Sequence, residues 1–408
     1  MPGRNILFGV ALYLIFIPVN ASTSEMDELR AMVLSLSGQV TQLQQRLQIL
    51  EQENVQQDTV IASYEAHREQ SDWTEKLLVK GDFRYRYDRY DDERDSQSRS
   101  RDRLRARAHL EATLDERTRV GLGIASGDDD PLSTNQTLGS VASTKDLRLD
   151  LAWFQYELMD DLQWMGGKFK NPVHRVGGHF LVWDGDLRPE GMNLVYESGN
   201  LHATVGYNHL ESDNREGRHD DVSFWVGQAD YNWQFSDSSS LLLGVGYYDI
   251  PTSDELLVEP GEAARNSVND EGEYIYNYEE VEAFAELHTS LADMPLTLFV
   301  DYVNNLDADD EDTAYALGLK LGKLSKKGTW NLAYSWQETD ADALLGIMTD
   351  SDFADGGTDS RGHVFSGGYA LTDVMHFKLT YFNTEYGKFT LGEYDDFDRI
   401  FVDLSFKY

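Results

Sequence analysis

The chain has 408 residues, a net charge of -37 from 35 basic and 72 acidic side chains, no cysteine, and aromatic residues at 12%. It has no apolar stretch near the ~20 residues that a spanning helix needs, which excludes a polytopic helical membrane protein. Its aromatic content excludes an acidic disordered chain, its charge argues against nucleic acid, and the lack of cysteine excludes disulfides and thiolate chemistry. Either two or three domains or one large all-β barrel fits this length.

Residues 1–21 have the three-part layout of a secretory signal peptide. Arg4 supplies the positive charge, Ile6 to Ile17 form the apolar run, and Val19-Asn20-Ala21 precede a polar stretch. Cleavage is expected after Ala21, which sends the mature protein out of the cytoplasm. The alternative, a membrane anchor, needs a longer apolar run.

Residues 24–70 predict a coiled coil. The a and d positions of six heptads are Met26, Val33, Val40, Leu47, Asn54 and Ile61, and Leu29, Leu36, Leu43, Leu50, Gln57 and Tyr64. Such a seam is buried only by a partner helix, so we expect a rod about 58 Å long through which the chain associates with copies of itself. Asn54 at an a position would fix the register of the helices. The alternative is a helix that packs on its own barrel.

From about Trp73 the apolar period changes from 3.5 to 2, which is typical of strands with one apolar and one polar face. In the first of them one face carries Leu77, Val79, Gly81, Phe83, Tyr85 and Tyr87, and the other carries Lys80, Asp82, Arg84, Arg86 and Asp88. The same alternation continues to the end of the chain. These segments are therefore predicted to be strands that separate an apolar environment from a polar one.

Seven tight turns, such as Asp160-Asp161, alternate with eight long polar loops, such as Gly127 to Asp146, and together they separate sixteen strands. An even strand number, with short turns at one end and long loops at the other, is typical of outer-membrane barrels. Residues 74–408 are therefore predicted to form an all-β, transmembrane antiparallel β-barrel of 16 strands, preceded by the N-terminal α-helical coiled coil. A soluble β-sandwich is the alternative, but it does not require longer loops at one end only.

The last predicted strand ends on an aromatic residue of the apolar face. Ile400, Val402, Leu404, Phe406 and Tyr408 share that face. The ending resembles the C-terminal signal by which the barrel insertion machinery recognises outer-membrane proteins, with Phe406 and Tyr408 as its aromatic residues. Tyr408 departs from the more usual terminal phenylalanine.

Two stretches of the sequence, Gly167 to Pro172 and Val182 to Gly191, resemble the putative porin family of Gram-negative outer membranes, distantly like the phosphate-selective porins. The resemblance is densest between Gly121 and Glu197. It implies an outer-membrane channel for small hydrophilic solutes, a homotrimer in contact with lipid and lipopolysaccharide, and it names no solute. The coiled coil would then lie in the periplasm, since both ends of an even-stranded barrel are on that side.

The polar faces of the first three strands carry a set of basic side chains that are predicted to line the pore. These are Lys80, Arg84, Arg86, Arg103, Arg105, Arg107 and Arg119. A barrel of this strand number encloses water, so the same residues could simply solvate a wide lumen. Their clustering in a chain with twice as many acids as bases favours a role in selectivity, with a weak preference for anions.

The loop Asn171 to Gly191 is the third outer loop, and in general porins that loop folds into the lumen and forms the constriction. If the resemblance extends that far, the candidates for the constriction are Lys168, Lys170, His174, Arg175, His179, Asp184, Asp186, Arg188 and Glu190. Two glycine pairs, at 166–167 and 177–178, would help the loop to bend. The alternative is a surface loop in which Trp183 packs locally.

Much of the acid lies in outer loops, for example at Asp128 to Asp130 and Asp350 to Asp359. At physiological salt the screening length is ~8 Å, so these carboxylates are expected to be solvated and to have little effect at a constriction. No regular calcium loop and no catalytic motif is present, so we expect no metal, no cofactor and no enzymatic activity. A structural trimer that is tethered by its coil and transports little is the alternative function.

Overall fold

The computed structural model describes residues 31–32, 34–46, 49, 76–95, 97–212, 221–255 and 263–408. The chain divides into two compact units, Met1–Glu75 and Lys76–Tyr408. A search of these residues finds no helix with the length and apolar character needed to span a membrane.

In the first unit the described residues 31–32, 34–46 and 49 are helical. Leu36, Val40 and Leu43, which are three of the predicted a and d residues, are each more than half exposed. Their spacing places them on one face, so an apolar row of the helix is accessible to a partner. The other nine seam positions, Asn54 among them, and the signal segment 1–21 lie outside the described residues.

The second unit consists of sixteen strands, counted over the described residues. They are β1 Leu77–Asp92, β2 Arg99–Thr113, β3 Thr118–Ser126, β4 Leu147–Met159, β5 Leu162–Lys168, β6 Glu190–Ser198, β7 Leu201–Glu211, β8 Val222–Ser236, β9 Ser239–Ile250, β10 Tyr278–Leu291, β11 Met294–Asn305, β12 Thr313–Gly322, β13 Trp330–Thr339, β14 Ser360–Ala370, β15 Met375–Tyr386 and β16 Asp395–Lys407. An additional two-residue strand, Gln136–Thr137, pairs with β2.

The strands form one closed ring. Each pairs with its neighbours in chain order, and β1 pairs antiparallel with both β2 and β16. Phe83 of β1 therefore lies between Ala106 of β2 and Phe406 of β16. Closure leaves no free sheet edge, and it confirms the predicted 16-stranded antiparallel barrel.

Short turns and long loops alternate around the ring, as predicted. We call the long connections L1 to L8, which are residues 93–98, 127–146, 169–189, 212–221, 251–277, 306–312, 340–359 and 387–394. The short connections at the other end include the two-residue turn at Ala292 and Asp293, whose φ angles are 51° and 63°. Positive φ at both positions gives this turn the twist that an antiparallel hairpin needs.

The outward face of the barrel is apolar, with exposed side chains such as Tyr85, Leu243 and Val245. The inward face differs around the ring. On β1, β2 and β16 it carries buried charges, whereas on β8 to β12 it also carries buried apolar side chains. Those side chains pack with apolar residues of L3, L5 and L7, so the main hydrophobic core lies inside the barrel. We call β8 to β12 with these loop segments the packed half.

Candidate functional site

Arginines from three adjacent strands share the inward face of the barrel, and one of them, Arg101 of β2, pairs with Asp88 at 2.8 Å. We call six others the arginine wall: Arg84 and Arg86 on β1, Arg103, Arg105 and Arg107 on β2, and Arg399 on β16. The alternation of β1 and β2 directs every second residue inwards, and the register places Arg84 opposite Arg105. Adjacent strands therefore bring like charges together at the lumen.

Aspartates among the arginines offset this repulsion. Arg86 binds Asp403 through two hydrogen bonds of 2.7 and 3.0 Å, and both side chains are buried. Arg105 and Arg107 share Asp82, each at 2.8 Å. Two-point pairing of a guanidinium with a carboxylate fixes its direction as well as its charge, so the wall is ordered and only partly neutralised.

L3 crosses the lumen and binds strands on the far side. His174 Nε2 lies 2.9 Å from Glu286 of β10, and His179 Nε2 lies 2.7 Å from Gln337 of β13. Gly177 donates its backbone N–H to the same Glu286. Its φ is 57°, and a Cβ atom there would lie 2.3 Å from the ring of Phe299, so only glycine fits this close approach.

The centre of L3 is anchored by apolar packing. Trp183 is only 8% exposed, and its ring lies 5.7 Å from that of Phe224 and 5.8 Å from that of Tyr248. Val176 and Leu181 are buried in the same cluster. Trp183 thus packs against the inner faces of β8 and β9.

The acidic part of L3 meets the arginine wall. Asp186 Oδ1 lies 3.1 Å from Arg107, and its other oxygen accepts a hydrogen bond from Thr134 of L2. Burial would raise the pKa of Asp186, but Arg105 and Arg107 outweigh it and hold that pKa below its usual value. Asp186 is therefore ionised and bridges L3 to the wall.

Arg188 and Lys170 are two further basic residues of L3 that lie in the lumen. Arg188 is buried and lies 3.2 Å from Asp150 of β4. Lys170 lines a second cavity of about 380 Å3 together with Arg107 and His174. Arg188 thus contacts β4 directly, and Lys170 lines the same cavity as Arg107 and His174, which connect L3 to β2 and β10.

Four residues of the predicted site lie apart from this cluster. Lys168 and Glu190 form an ion pair of 2.6 Å where β5 ends and β6 begins, and Glu190 is in register with His209 of β7. All three side chains are on the outward face of the barrel, so the prediction that Lys168 and Glu190 belong to the constriction is wrong. The physical reason is that strand alternation persists to both of these residues. Lys80 pairs with Glu111 at 2.9 Å and is half exposed, and Arg119 is exposed near a short turn.

L7 also folds into the lumen, which the sequence did not predict. Asp352 lies 3.2 Å from Arg86 and 3.3 Å from Arg399. Ser351 donates its backbone N–H and its hydroxyl to Asp184 of L3, at 3.0 and 3.1 Å. The expectation that the acids of 350–359 are solvated and remote is therefore wrong for Asp352.

An apolar run in L7 is the feature of the sequence from which the entry of this loop into the lumen could have been predicted. Ala343, Leu344, Leu345 and Met348 are buried in the lumen core. Burial of that run draws the following carboxylates down to the arginines. Sequence reasoning weighed the acids of this loop and missed the apolar residues before them.

The loop carboxylates in the lumen differ in ionisation. Burial, reinforced by Asp186 and Asp352, raises the pKa of Asp184 to about 7. Burial and the charges of Asp352 and Asp184 raise the pKa of Asp350 well above its usual value. Burial opposes ionisation of Asp352 too, but Arg399 and Arg86 outweigh it and lower its pKa.

A histidine of L3 has a pKa shifted in the opposite direction. Burial, helped by Lys320 and Arg175, lowers the pKa of His179 to about 4, although the hydrogen bond that its Nε2 donates to the amide oxygen of Gln337 acts in the opposite direction. His179 is thus neutral near pH 7.

Between L3, L7 and the arginine wall lies a cavity of about 470 Å3, which we call the central cavity. Its cationic side chains are Arg84, Arg86, Arg105, Arg107, Arg175, Lys320 and Lys378, and its carboxylates are Asp184, Asp186, Asp350, Asp352 and Asp403. Seven cations face five carboxylates, so the lining carries a positive excess of two even when every acid is ionised. No group of three or more potential metal ligands occurs in the described parts of the chain.

A closed 16-stranded barrel with an apolar exterior and a charged interior has the architecture of an outer-membrane porin. The chain belongs to the putative porin family, whose profile matches residues 90–254 and 260–408, more than half of the chain. Both the family and the fold are those of non-enzymatic channels of the outer membrane.

Solved porin structures share this fold. OprB of Pseudomonas putida, in a structure at high pH, is similar with a TM-score of 0.57 and 10% identity, over 83% of this chain and 96% of that one. A double mutant of the Rh. blastica porin is similar with a TM-score of 0.50 and 10% identity, over 81% of this chain and 100% of that one. At this identity the likeness concerns the fold alone. No curated protein matches the chain.

Proposed function

We propose that this protein is a passive diffusion channel for small hydrophilic solutes and ions, with its constriction at the central cavity. The observation that carries the proposal is the juxtaposition of the arginine wall with two loops that fold into the lumen. Asp186 of L3 reaches Arg107 at 3.1 Å, and Asp352 of L7 reaches Arg86 at 3.2 Å. Charges of opposite sign on facing surfaces orient polar solutes at the narrowest part of a pore.

The channel prefers anions weakly. The positive excess of two on the lining of the central cavity attracts them, and protonation of Asp184 or Asp350 would increase that excess. The pairs between wall and loops limit the effect, because each bound carboxylate offsets one guanidinium. Two unit charges about 4 Å apart in water interact by about 1 kcal/mol, so the preference is severalfold and not absolute.

The channel assembles as a homotrimer in the outer membrane, with its coiled coil in the periplasm. Support comes from the helical residues 34–46, whose Leu36, Val40 and Leu43 form an exposed apolar row that a partner helix would cover. Lipid and lipopolysaccharide surround the barrel, and the terminal strand with Phe406 and Tyr408 is the signal for the insertion machinery. Removing residues 24–70 should convert trimers to monomers on sizing in detergent; an unchanged trimer contradicts this role of the coil.

Conductance in planar lipid bilayers tests the channel. The purified protein should give stepwise openings in groups of three, with a reversal potential in a KCl gradient that indicates a modest anion preference. Neutralising Arg103, Arg105 and Arg107 together to glutamine should shift that potential towards cations, by up to about fivefold in the permeability ratio. Arg119→Gln is the matched control because Arg119 shares the inward face but is exposed near a short turn. An unchanged potential in the triple variant contradicts selectivity by the wall.

The alternative function is a structural trimer with little transport. The packing of L3, L5 and L7 inside the barrel favours it, because these loops fill part of the lumen with apolar side chains. A trimer that inserts and is folded but conducts no ions would support this alternative and contradict the channel.

A further inference from the structure

Four of the seven cations around the central cavity have no carboxylate partner. Arg84 of β1, Arg175 of L3, Lys320 of β12 and Lys378 of β15 form no ion pair within the part of the chain that the structure describes. By contrast Arg86, Arg105 and Arg107 each bind one or two aspartates. The positive excess of the cavity is therefore concentrated on side chains with free donors.

Arg84 shows the imbalance most directly. Its Nη2 donates a hydrogen bond of 2.7 Å to Asn135, which is neutral. Its Nε is buried and meets no acceptor among the described residues. A guanidinium has five donors, and a buried donor without an acceptor costs free energy that an anionic ligand would restore.

The four cations form two pairs on different sides of the cavity. Lys378 of β15 is opposite Asp403 of β16 in the register, and Asp403 is opposite Arg86 of β1, so only β16 separates Lys378 from the strand that carries Arg84. The charge of Lys378 interacts with those of Asp403, Arg86 and Arg84. Lys320 of β12 lies three strands from β15, and its Nζ lies 2.8 Å from the point where a Cβ of Gly178 would be, so it lies against L3, the loop that carries Arg175. The charge of Lys320 interacts with those of Lys378 and Arg175. One pair thus belongs to the barrel wall near β1, and the other lies against L3.

The wall between the two pairs carries small side chains. Lys320 is in register with Ala333 of β13, Ala333 with Ser366 of β14, and Ser366 with Thr380 of β15. All three of these residues line the cavity. Small and hydroxyl-bearing side chains leave room for a short polar solute and offer it hydrogen bonds.

We propose that the central cavity is a binding site for small dicarboxylates, with one carboxylate held by Arg84 and Lys378 and the other by Lys320 and Arg175. This assignment rests on the proposed function as a channel. Two separated pairs of cations match two separated anionic groups, whereas the charge of inorganic phosphate is confined to one centre. The positive excess of two also equals the charge of a dicarboxylate, and a monocarboxylate would leave one pair of cations unbound.

Block of the channel by succinate tests the proposal. Currents through the full-length wild-type protein in planar bilayers would be measured in KCl with succinate, propionate, inorganic phosphate or glucose added at equal concentrations. Succinate should reduce the current at concentrations at least about tenfold lower than propionate or phosphate require, because it alone engages both pairs. Block by propionate or phosphate at the same concentration as succinate would overturn the assignment.

Substitution on each side of the cavity tests the two-point contact. Lys378→Gln and Lys320→Gln should each raise the half-blocking concentration of succinate about tenfold and leave that of propionate nearly unchanged. Lys326→Gln is the control, because Lys326 is an exposed lysine in a short turn at the other end of the barrel. Unaltered block in both cavity variants would overturn the proposal.

Different results would contradict the channel function and the dicarboxylate site. A wild-type protein that inserts but passes no current in KCl would contradict the channel function itself, and the dicarboxylate site with it. A wild-type channel that conducts KCl and is insensitive to succinate would overturn the binding site alone. The comparison of succinate with propionate needs no variant, so it decides the question even if a substituted protein fails to insert.

Discussion

The arginine wall and the packed half use the inside of the same barrel in different ways. On β1, β2 and β16 the inward charges pair with aspartates and remain next to the central cavity. On β8 to β12 the inward side chains are covered by apolar residues of L3, L5 and L7. One side of the lumen therefore presents charge, and the other holds the loops that face it.

The carboxylates of the packed half show how this difference is maintained. Glu286 accepts the backbone N–H of Gly177, and Glu280 accepts that of Leu345. Glu282 accepts hydrogen bonds from Gln228 and from Tyr248. These acids bind loop backbone, His174 and neutral side chains, whereas the acids of the wall bind arginine. The acids of the packed half therefore fix the positions of L3 and L7. The geometry of the charged surface therefore depends on packing on the opposite side of the barrel.

The largest expected effect comes from removing the aromatic anchor of L3. Trp183→Ala should cost about 3–5 kcal/mol of packing free energy, because its ring fills a buried cluster with Phe224 and Tyr248. We expect L3 to detach from the packed half, with larger and noisier single-channel currents and a weaker anion preference. Phe389→Ala is the control, since Phe389 of L8 is 51% exposed. Identical currents from Trp183→Ala and wild type would show that packing does not position L3.

A smaller change tests the same attachment at the backbone. Gly177→Ala should shift L3 by introducing a Cβ 2.3 Å from the ring of Phe299, at a cost of about 1–3 kcal/mol. Gly199→Ala is a matched control, because Gly199 has a similar φ, 60° against 57°, but has nothing within 4 Å of its Cβ position. Conductance should change in the first variant alone. An equal change in both would indicate backbone strain and not the contact with Phe299.

The ionisation of Asp184, which lines the central cavity, should make the anion preference of the channel depend on pH. Because burial raises its pKa to about 7, Asp184 is neutral at pH 6 and negative at pH 8, and the anion preference should be stronger at pH 6. The raised pKa also favours the folded state at low pH, and that contribution to stability is lost as the pH rises through about 7.

Substitution isolates the part of this titration that belongs to Asp184. Asp184→Asn should reduce the pH dependence of the reversal potential between pH 6 and 8, and Asp350 would account for what is left. Asp309→Asn is the control, since Asp309 is exposed in L6. A pH profile that is the same in Asp184→Asn as in wild type would contradict this assignment.

The fold could be predicted from the sequence because lipid outside and water inside impose a period of two on every strand. The inward position of the arginines on β1 and β2 follows from that period alone. Their partners do not: Asp352 and Asp403 are 266 and 317 residues away from Arg86 in the chain, and one sequence gives no sign of such pairing. The entry of L7 into the lumen depends on the same kind of distant contact.

The smallest expected change in anion preference comes from substituting one of two lysines that are close together in the sequence but lie in different environments. Lys168 and Lys170 are two residues apart at the end of β5, but Lys168 pairs with Glu190 on the outward face, whereas Lys170 lines the second cavity with Arg107. Lys170→Gln should therefore reduce the anion preference slightly, by about twofold or less, since one partly solvated charge contributes little. Lys168→Gln should leave it unchanged in the same KCl gradient. The opposite result, an effect at Lys168 alone, would mean that the alternation of β5 breaks before its end and that the border between the lumen and the outer face lies elsewhere.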